Sequence, residues 1–205
     1  RPWFNENKER YLAAKKEFDT YIETLIPLLK KQDHSIDVNC AKECVYRIYR
    51  DVRFSKNKEP YKNSFGAYIS KGGRKSPYAG YYIHFEPDNS FVGGGIYQPS
   101  PTVLKSIRNQ IFEHTDAYKK ILTKKELKNE FSVLEGAKLK MAPKGFPKDF
   151  KDIDLLKNKH FTVRKKIDNK LWLKKNSVEL ILKSFETQQD FNHFLNRAVE
   201  AEKLS

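Results

Sequence analysis

The stretch "GYYIHFEPDNSFVGGGIYQPSP", Gly80 to Pro101, decides the fold class. Its first part alternates with a period of two, so Tyr81, Ile83 and Phe85 share one side of a strand and Tyr82, His84 and Glu86 share the other. The link "EPDNS" is rich in turn formers. "SFVGGGIYQ", Ser90 to Gln98, then reads as a second strand. Two strands joined by so short a turn predict an antiparallel hairpin with Tyr81, Ile83 and Phe85 in the core. Ser100-Pro101 reads as a helix start, a capping hydroxyl followed by proline at the first helical position. Val103, Leu104, Ile107 and Ile111 give that helix a buried face.

Working outward, "SFGAYIS" at Ser64 to Ser70 predicts another strand. From Cys44 a period of two places Tyr46, Ile48, Val52 and Phe54 on one side and Arg47, Tyr49, Asp51 and Arg53 on the other, which predicts an earlier strand. Asn5 to about Lys31 has apolar residues at helical spacing, from Tyr11 to Leu29. Asn5 is the expected cap, and Pro27 is expected to kink or end the helix. On the C-terminal side, about Asp116 to Phe131 reads as helical, "LKMAPKGFP" as a loop and "HFTVRKKI" as one more strand. Ser177 to about Ala201 is the last helical stretch, with a fresh start expected near Gln188 from Thr187 and Asp190. This order predicts α+β: an antiparallel sheet meander packed against several helices. One domain over 1–205 is expected, with an N-terminal helix, a central sheet at about 44–98 and a C-terminal helical part holding one further strand. The regular βαβ alternation of a doubly wound nucleotide fold is missing.

The 205 residues are enough for a sizeable core, and 39% hydrophobic with 32% charged residues describes a folded chain. No apolar run approaches the roughly 18 residues that span a bilayer, so no membrane partner is expected. The chain opens at Arg1-Pro2-Trp3-Phe4 without an initiator Met, which suggests missing N-terminal sequence. Cys40 and Cys44 are too few for a zinc site or a disulfide framework, and they read as reduced thiols of a cytoplasmic protein. A net charge of +14 favours anionic partners. Nucleic acid is one such partner, but the basic residues are spread from end to end, so a small anion is favoured over it and over a partner-binding role without a small ligand.

The candidate site follows from the strand faces. Tyr82, His84 and Glu86 lie on one surface, with His84 and Glu86 about 7 Å from each other along the strand. That is too long for a direct hydrogen bond but short enough to grip one ligand. Arg47, Asp51 and Arg53 form the polar side of the earlier strand. If both sides line one hollow, Arg53, Lys58, Tyr61, Lys62 and Tyr82 would hold an anion, with Arg108 reaching in from the helix after Pro101. His84 and Glu86 are the candidates to move a proton. No second His or Cys stands at ligand spacing to His84, so neither a metal nor a cofactor is expected. Lys71 and Arg74 form a second basic loop. Gly93-Gly94-Gly95 needs a reason inside a strand, and close packing is favoured over close approach of a ligand.

"RFSKNKEPYKNSFGAYIS", "GYYIHFEP", "SFVGGGIYQPSP" and "IRNQI", with "RPWFNENKERY" ahead and "LKMAPKGFP" behind, resemble a family of conserved hypothetical proteins, domain of unknown function two-four-six-one. The resemblance covers nearly the whole chain. It rests on Arg53, Phe54, Ser55, Lys56, Lys58, Pro60, Tyr61, Lys62, Phe65, Gly66, Gly80, Tyr81, Tyr82, Gly93, Gly94, Gly95 and Arg108. It implies a single α+β domain and supplies no catalytic residues.

Overall fold

The computed structural model describes residues 2–133 and 136–204. Arg1, the first residue of the family-like start, lies outside them. The helices are α1 (Pro2–Glu6), α2 (Lys8–Gln32), α3 (Ala41–Cys44), α4 (Pro101–Glu113), α5 (Thr115–Leu122), α6 (Lys125–Glu130), α7 (Ile153–Leu156), α8 (Asn169–Trp172) and α9 (Ser177–Leu204). The strands are β1 (Phe65–Ile69), β2 (Gly80–Phe85), β3 (Phe91–Ile96), β4 (Ser132–Val133) and β5 (Phe161–Lys166). They form one antiparallel sheet in the order β1-β2-β3-β5-β4. The fold is α+β, as the alternation of Gly80 to Gln98 predicts.

One sheet face is buried under helices. Ala67, Ile69, Tyr81, Ile83 and Val92 pack with Ile22, Leu25, Ile26 and Leu29 of α2 and with Ile181 and Phe185 of α9. Ile96, Phe161 and Val163 meet Val103, Ile107 and Ile111 of α4 and Phe191, Phe194 and Leu195 of α9. Ser100 caps α4: its hydroxyl accepts from the Val103 N–H at 3.3 Å, and Pro101 fills the position whose N–H would have no partner.

Four local expectations are corrected. The strand from Cys44 does not form. Val45 bridges Ala67 and Tyr49 bridges Tyr61, and between them residues 45–62 make an irregular arm. Its limbs meet through Arg50 N–H to Pro60 O and Lys62 N–H to Ile48 O, both 2.9 Å. Pro60 has no N–H to continue a ladder, and the charged residues of the arm have nothing to bury. Pro27 does not end α2, because it lies on the solvent face between buried Ile26 and Leu29. Likewise α9 runs unbroken through Gln188; the Thr187 hydroxyl turns back to Lys183 O at 3.2 Å instead of capping a new start. Asn5 sits inside α1, and α2 begins after Asn7.

Candidate functional site

The sheet face turned away from α2 and α9 opens into a cleft of about 780 Å³. Alternation along four strands supplies its floor: Tyr68 from β1, Tyr82 and His84 from β2, Phe91, Gly93 and Gly95 from β3, Thr162 and Arg164 from β5. Tyr46 and Lys62 of the 45–62 arm stand on one side, Arg74 and Tyr78 come from the β1–β2 loop, and Tyr97 follows β3. None of the described lining residues belongs to a helix, and none is a carboxylate.

Tyr82, His84 and Glu86 form a hydrogen-bonded chain along this face. His84 Nε2 lies 2.9 Å from Glu86 Oε2, and His84 Nδ1 lies 3.2 Å from the Tyr82 hydroxyl. The expected gap between His84 and Glu86 is therefore corrected: Glu86 has left the strand at the turn, and its side chain folds back. Glu86 also accepts from Asn89 Nδ2 at 2.8 Å and from Asn63 Nδ2. The hydrogen bond from His84, then those from the asparagines, hold its carboxyl below the usual range. An ionised carboxylate only accepts, so His84 Nε2 carries a proton. In the neutral ring Nδ1 is then the acceptor, and the Tyr82 O–H donates to it. Burial pushes the Tyr82 phenol up to about 12, which keeps that proton in place at neutral pH.

The His84 ring stacks on Phe91, with centroids 4.7 Å from each other and planes 18° from parallel. The Arg164 guanidinium sits 4.1 Å from the Phe91 centroid. β2 and β5 flank β3, so the two groups cover Phe91 from opposite sides. Arg164 also reaches Asn89 Oδ1 at 3.4 Å, which fixes the fork while leaving other N–H donors for a ligand. Lys62 Nζ donates to Arg47 O at 3.1 Å, and Arg74 to Lys42 O. Burial, then the nearby Arg47 charge, lowers the Lys62 ammonium below its ordinary value.

The glycine run serves packing. α9 lays Gln188, Asn192 and Asn196 along one face at steps of four. Gln188 Nε2 donates to Gly93 O at 2.9 Å, Asn192 Nδ2 to Gly80 O at 3.0 Å, and Asn196 bonds both backbone groups of Ala79. A Cβ on Gly94 would overlap Gln188 Nε2 and Gly80 O. Gly95 has φ of +94°, and its carbonyl is turned to the Tyr68 hydroxyl at 2.6 Å. The same hydroxyl lies 2.8 Å from Tyr78 O, so one proton ties the loop wall to the floor.

Of the residues read from the sequence, the structure brings Lys62, Tyr82 and His84 into the cleft, with Glu86 behind His84. Arg53 is not among them. Its side chain is 76% exposed and makes a two-pronged pair with Asp51 at 3.0 and 2.7 Å, because the strand that was to aim it does not form. Lys58 Nζ caps the arm at Val52 O, 3.0 Å away. Tyr61 stacks on Phe4 at 4.0 Å. Arg108 is spent on Leu156 O at 2.7 Å and Asn158 O at 3.3 Å, where it holds the segment after α7. Tyr46, Phe91 and Arg164 were missed. Alternation within "HFTVRKKI" groups Thr162 with Arg164, but only the pairing of β5 with β3 carries that pair to His84.

The family model of conserved hypothetical proteins, DUF2461, matches residues 1–194. The chain is a DUF2461 protein. No curated protein and no solved structure matches this DUF2461 chain. No helix among the described residues is long and apolar enough to cross a membrane.

Proposed function

We propose that this DUF2461 protein binds a small anionic ligand in the cleft over β1, β2, β3 and β5. One observation carries the reading: Lys62, Arg74 and Arg164 reach the cleft lining, and no described lining residue is a carboxylate. Each cation is oriented by an uncharged oxygen, Arg47 O, Lys42 O or Asn89 Oδ1, so each keeps its full charge and has donors to spare. The volume, about 780 Å³, falls in the range of small-molecule sites. Tyr82–His84–Glu86 adds a group able to hold or accept a proton beside the ligand. The unpaired thiols of Cys40 and Cys44 support a cytoplasmic setting.

Titration with inorganic phosphate and sulfate, followed by amide NMR shifts, tests this. Perturbation is expected at Gly93 to Gly95, His84 and Arg164. Arg164→Gln and Lys62→Gln should each weaken binding by roughly 10-fold or more, the value of one charge-assisted hydrogen bond. Shifts confined to scattered surface lysines, unchanged by either substitution, would reject the site. A second reading rests on the 45–62 arm, where Phe54 is 97% and Tyr49 55% exposed among Arg and Lys, an arrangement that suits stacking and backbone contact with single-stranded nucleic acid. It requires a mobility shift that fades steeply as salt rises and that Phe54→Ala removes.

A further inference from the structure

We propose, resting on the anion-binding reading above, that the ligand carries a flat aromatic ring next to its anionic group. Five tyrosines line the cleft, and three of them, Tyr68, Tyr78 and Tyr82, keep their hydroxyls engaged within the protein. The Tyr68 O–H is taken by the carbonyls of Tyr78 and Gly95 at 2.8 and 2.6 Å. The Tyr82 O–H donates to His84 Nδ1 at 3.2 Å. The Tyr78 hydroxyl accepts from Lys203 Nζ at 3.1 Å, behind the loop wall. Over these three the cleft presents ring surface, where ligand hydroxyls would be left unpaired, an expensive outcome for buried polar groups.

The floor is also flat. Gly93, Gly94 and Gly95 line the cleft with bare backbone, between Tyr82 on β2 and Thr162 with Arg164 on β5. Phe91 already has both faces covered, so it shapes the wall and takes no ring itself. The rings with exposed surface are Tyr46, which carries the Lys62 ammonium over it at 5.5 Å and meets the Tyr82 ring edge-on at 6.4 Å, and Tyr97. Tyr46, 37% exposed, stands on the β1 side, where its N–H bonds Gly66 O at 2.9 Å. Tyr97, 69% exposed, stands beyond β3 with one face on His160 at 4.6 Å and the other uncovered. A planar group lying over the glycines would meet these rings. Its charged substituent would meet the Arg164 fork, which is pinned in place over Phe91. Aromatic anions, whether mononucleotides or aryl carboxylates, have this chemistry.

Calorimetric titration of the whole chain with adenosine 5′-monophosphate, indole-3-acetate, ribose 5-phosphate, adenosine and inorganic phosphate tests the proposal. Stacking on one ring predicts that at least one of the two aromatic anions binds about 5- to 150-fold tighter than ribose 5-phosphate or phosphate. Which of them does so separates a nucleotide from an aryl carboxylate. Tyr46→Ala and Tyr97→Ala both change exposed rings, so the fold is retained, as a thermal melt will verify. At least one must reduce that preference while leaving phosphate affinity unchanged. Equal binding of ribose 5-phosphate and both aromatic anions overturns the aromatic inference and leaves the anion site standing. Equal binding of adenosine and its monophosphate removes the anion site instead. Binding of none of the five removes both.

Discussion

The Tyr68 hydroxyl is the clearest point at which stability and site geometry meet. It sits 2.8 Å from Tyr78 O and 2.6 Å from Gly95 O, so a single proton joins the β1–β2 loop to the glycine floor. Tyr68→Phe keeps the ring and removes only that oxygen. The carbonyl of Gly95, in a buried residue with φ of +94°, then loses a donor that water cannot readily replace. Leaving buried acceptors short of a partner costs about 1–3 kcal/mol. With a urea slope of about 2 kcal/mol/M, the midpoint should fall by about 0.5–1.5 M without a change in slope. Because Tyr78 and Gly95 both line the cleft, the same substitution should weaken phosphate binding. Urea unfolding followed by far-ultraviolet circular dichroism, with phosphate titration of the folded variant, measures both effects. A midpoint equal to that of the unsubstituted chain would show that the hydroxyl does not tie wall to floor.

Gly94→Ala drives a methyl into Gln188 Nε2 and Gly80 O. Overpacking at about 1–3 kcal/mol adds to the weakened Gln188–Gly93 bond, so Tm should drop by more than about 5 °C. Adding Gln188→Ala should not restore it, since Gly80 O is backbone; full recovery in the double variant would contradict the packing. For His84, nitrogen-15 correlation spectra of the neutral ring should show the proton on Nε2 and a bare Nδ1; the opposite tautomer would break the Tyr82–His84–Glu86 chain. Asp33 and His193 set a pH dependence away from the cleft. Burial alone would raise the Asp33 carboxyl, but bonds from His193, Ser35 and Tyr81 outweigh it and hold it far below its usual range. The hydrogen bond to Asp33 raises the His193 imidazolium. A lowered Asp33 contributes fully above the unfolded carboxyl value and is lost as pH falls through the folded one; a raised His193 contributes fully below its unfolded value and is lost as pH rises through the folded one. The pair is thus most stabilising between about pH 4 and 6.5. His193→Gln should close the stability gap to the unsubstituted chain as pH rises above that window, and a gap constant to alkaline pH would refute the assignment.

The legible parts of the chain were those whose signals are local. Alternation in "GYYIHFEP" separates Tyr81 and Ile83, fully buried, from Tyr82 and His84 in the cleft. The Ser100-Pro101 start is likewise a statement about neighbouring residues. From Cys44 to Phe54 the same period of two misled, because alternation alone does not say that a partner strand can donate, and Pro60 on the facing limb cannot. Arg53 lost its place in the site with that strand. Arg164 and Tyr46 were invisible for the opposite reason. Arg164 lies in a strand that reads correctly and Tyr46 in one that does not form, but what puts them beside Tyr82 is pairing across 60 to 80 residues of chain or the docking of an irregular arm. The amides Gln188, Asn192 and Asn196 read as ordinary helix surface until the glycines opposite them are known.

A sheet with one wet face would ordinarily pair its charges across strands, and charged side chains on the Tyr82 face would then be decoration. The distribution of ion pairs argues against that. Lys165 points to the helical side of β5 and pairs with Glu130 at 2.5 Å; Arg164, its neighbour on the cleft side, meets an aromatic ring and an amide oxygen. Lys71 pairs with Glu200, Lys119 with Asp152 and Lys124 with Asp190, all outside the cleft lining. At the cleft Glu86, the carboxylate nearest His84 among the described residues, is turned to His84 and two asparagines. Among the described residues, then, no carboxylate pairs with Lys62 or Arg164 over this floor, where screening by water is weaker than at an open surface. Such an arrangement costs folding stability through repulsion and desolvation, and an anion is what relieves it. Arg164→Gln should therefore leave the empty protein as stable or more stable while weakening phosphate binding. A loss of stability without loss of binding would return Arg164 to the role of a structural cation stacked on Phe91.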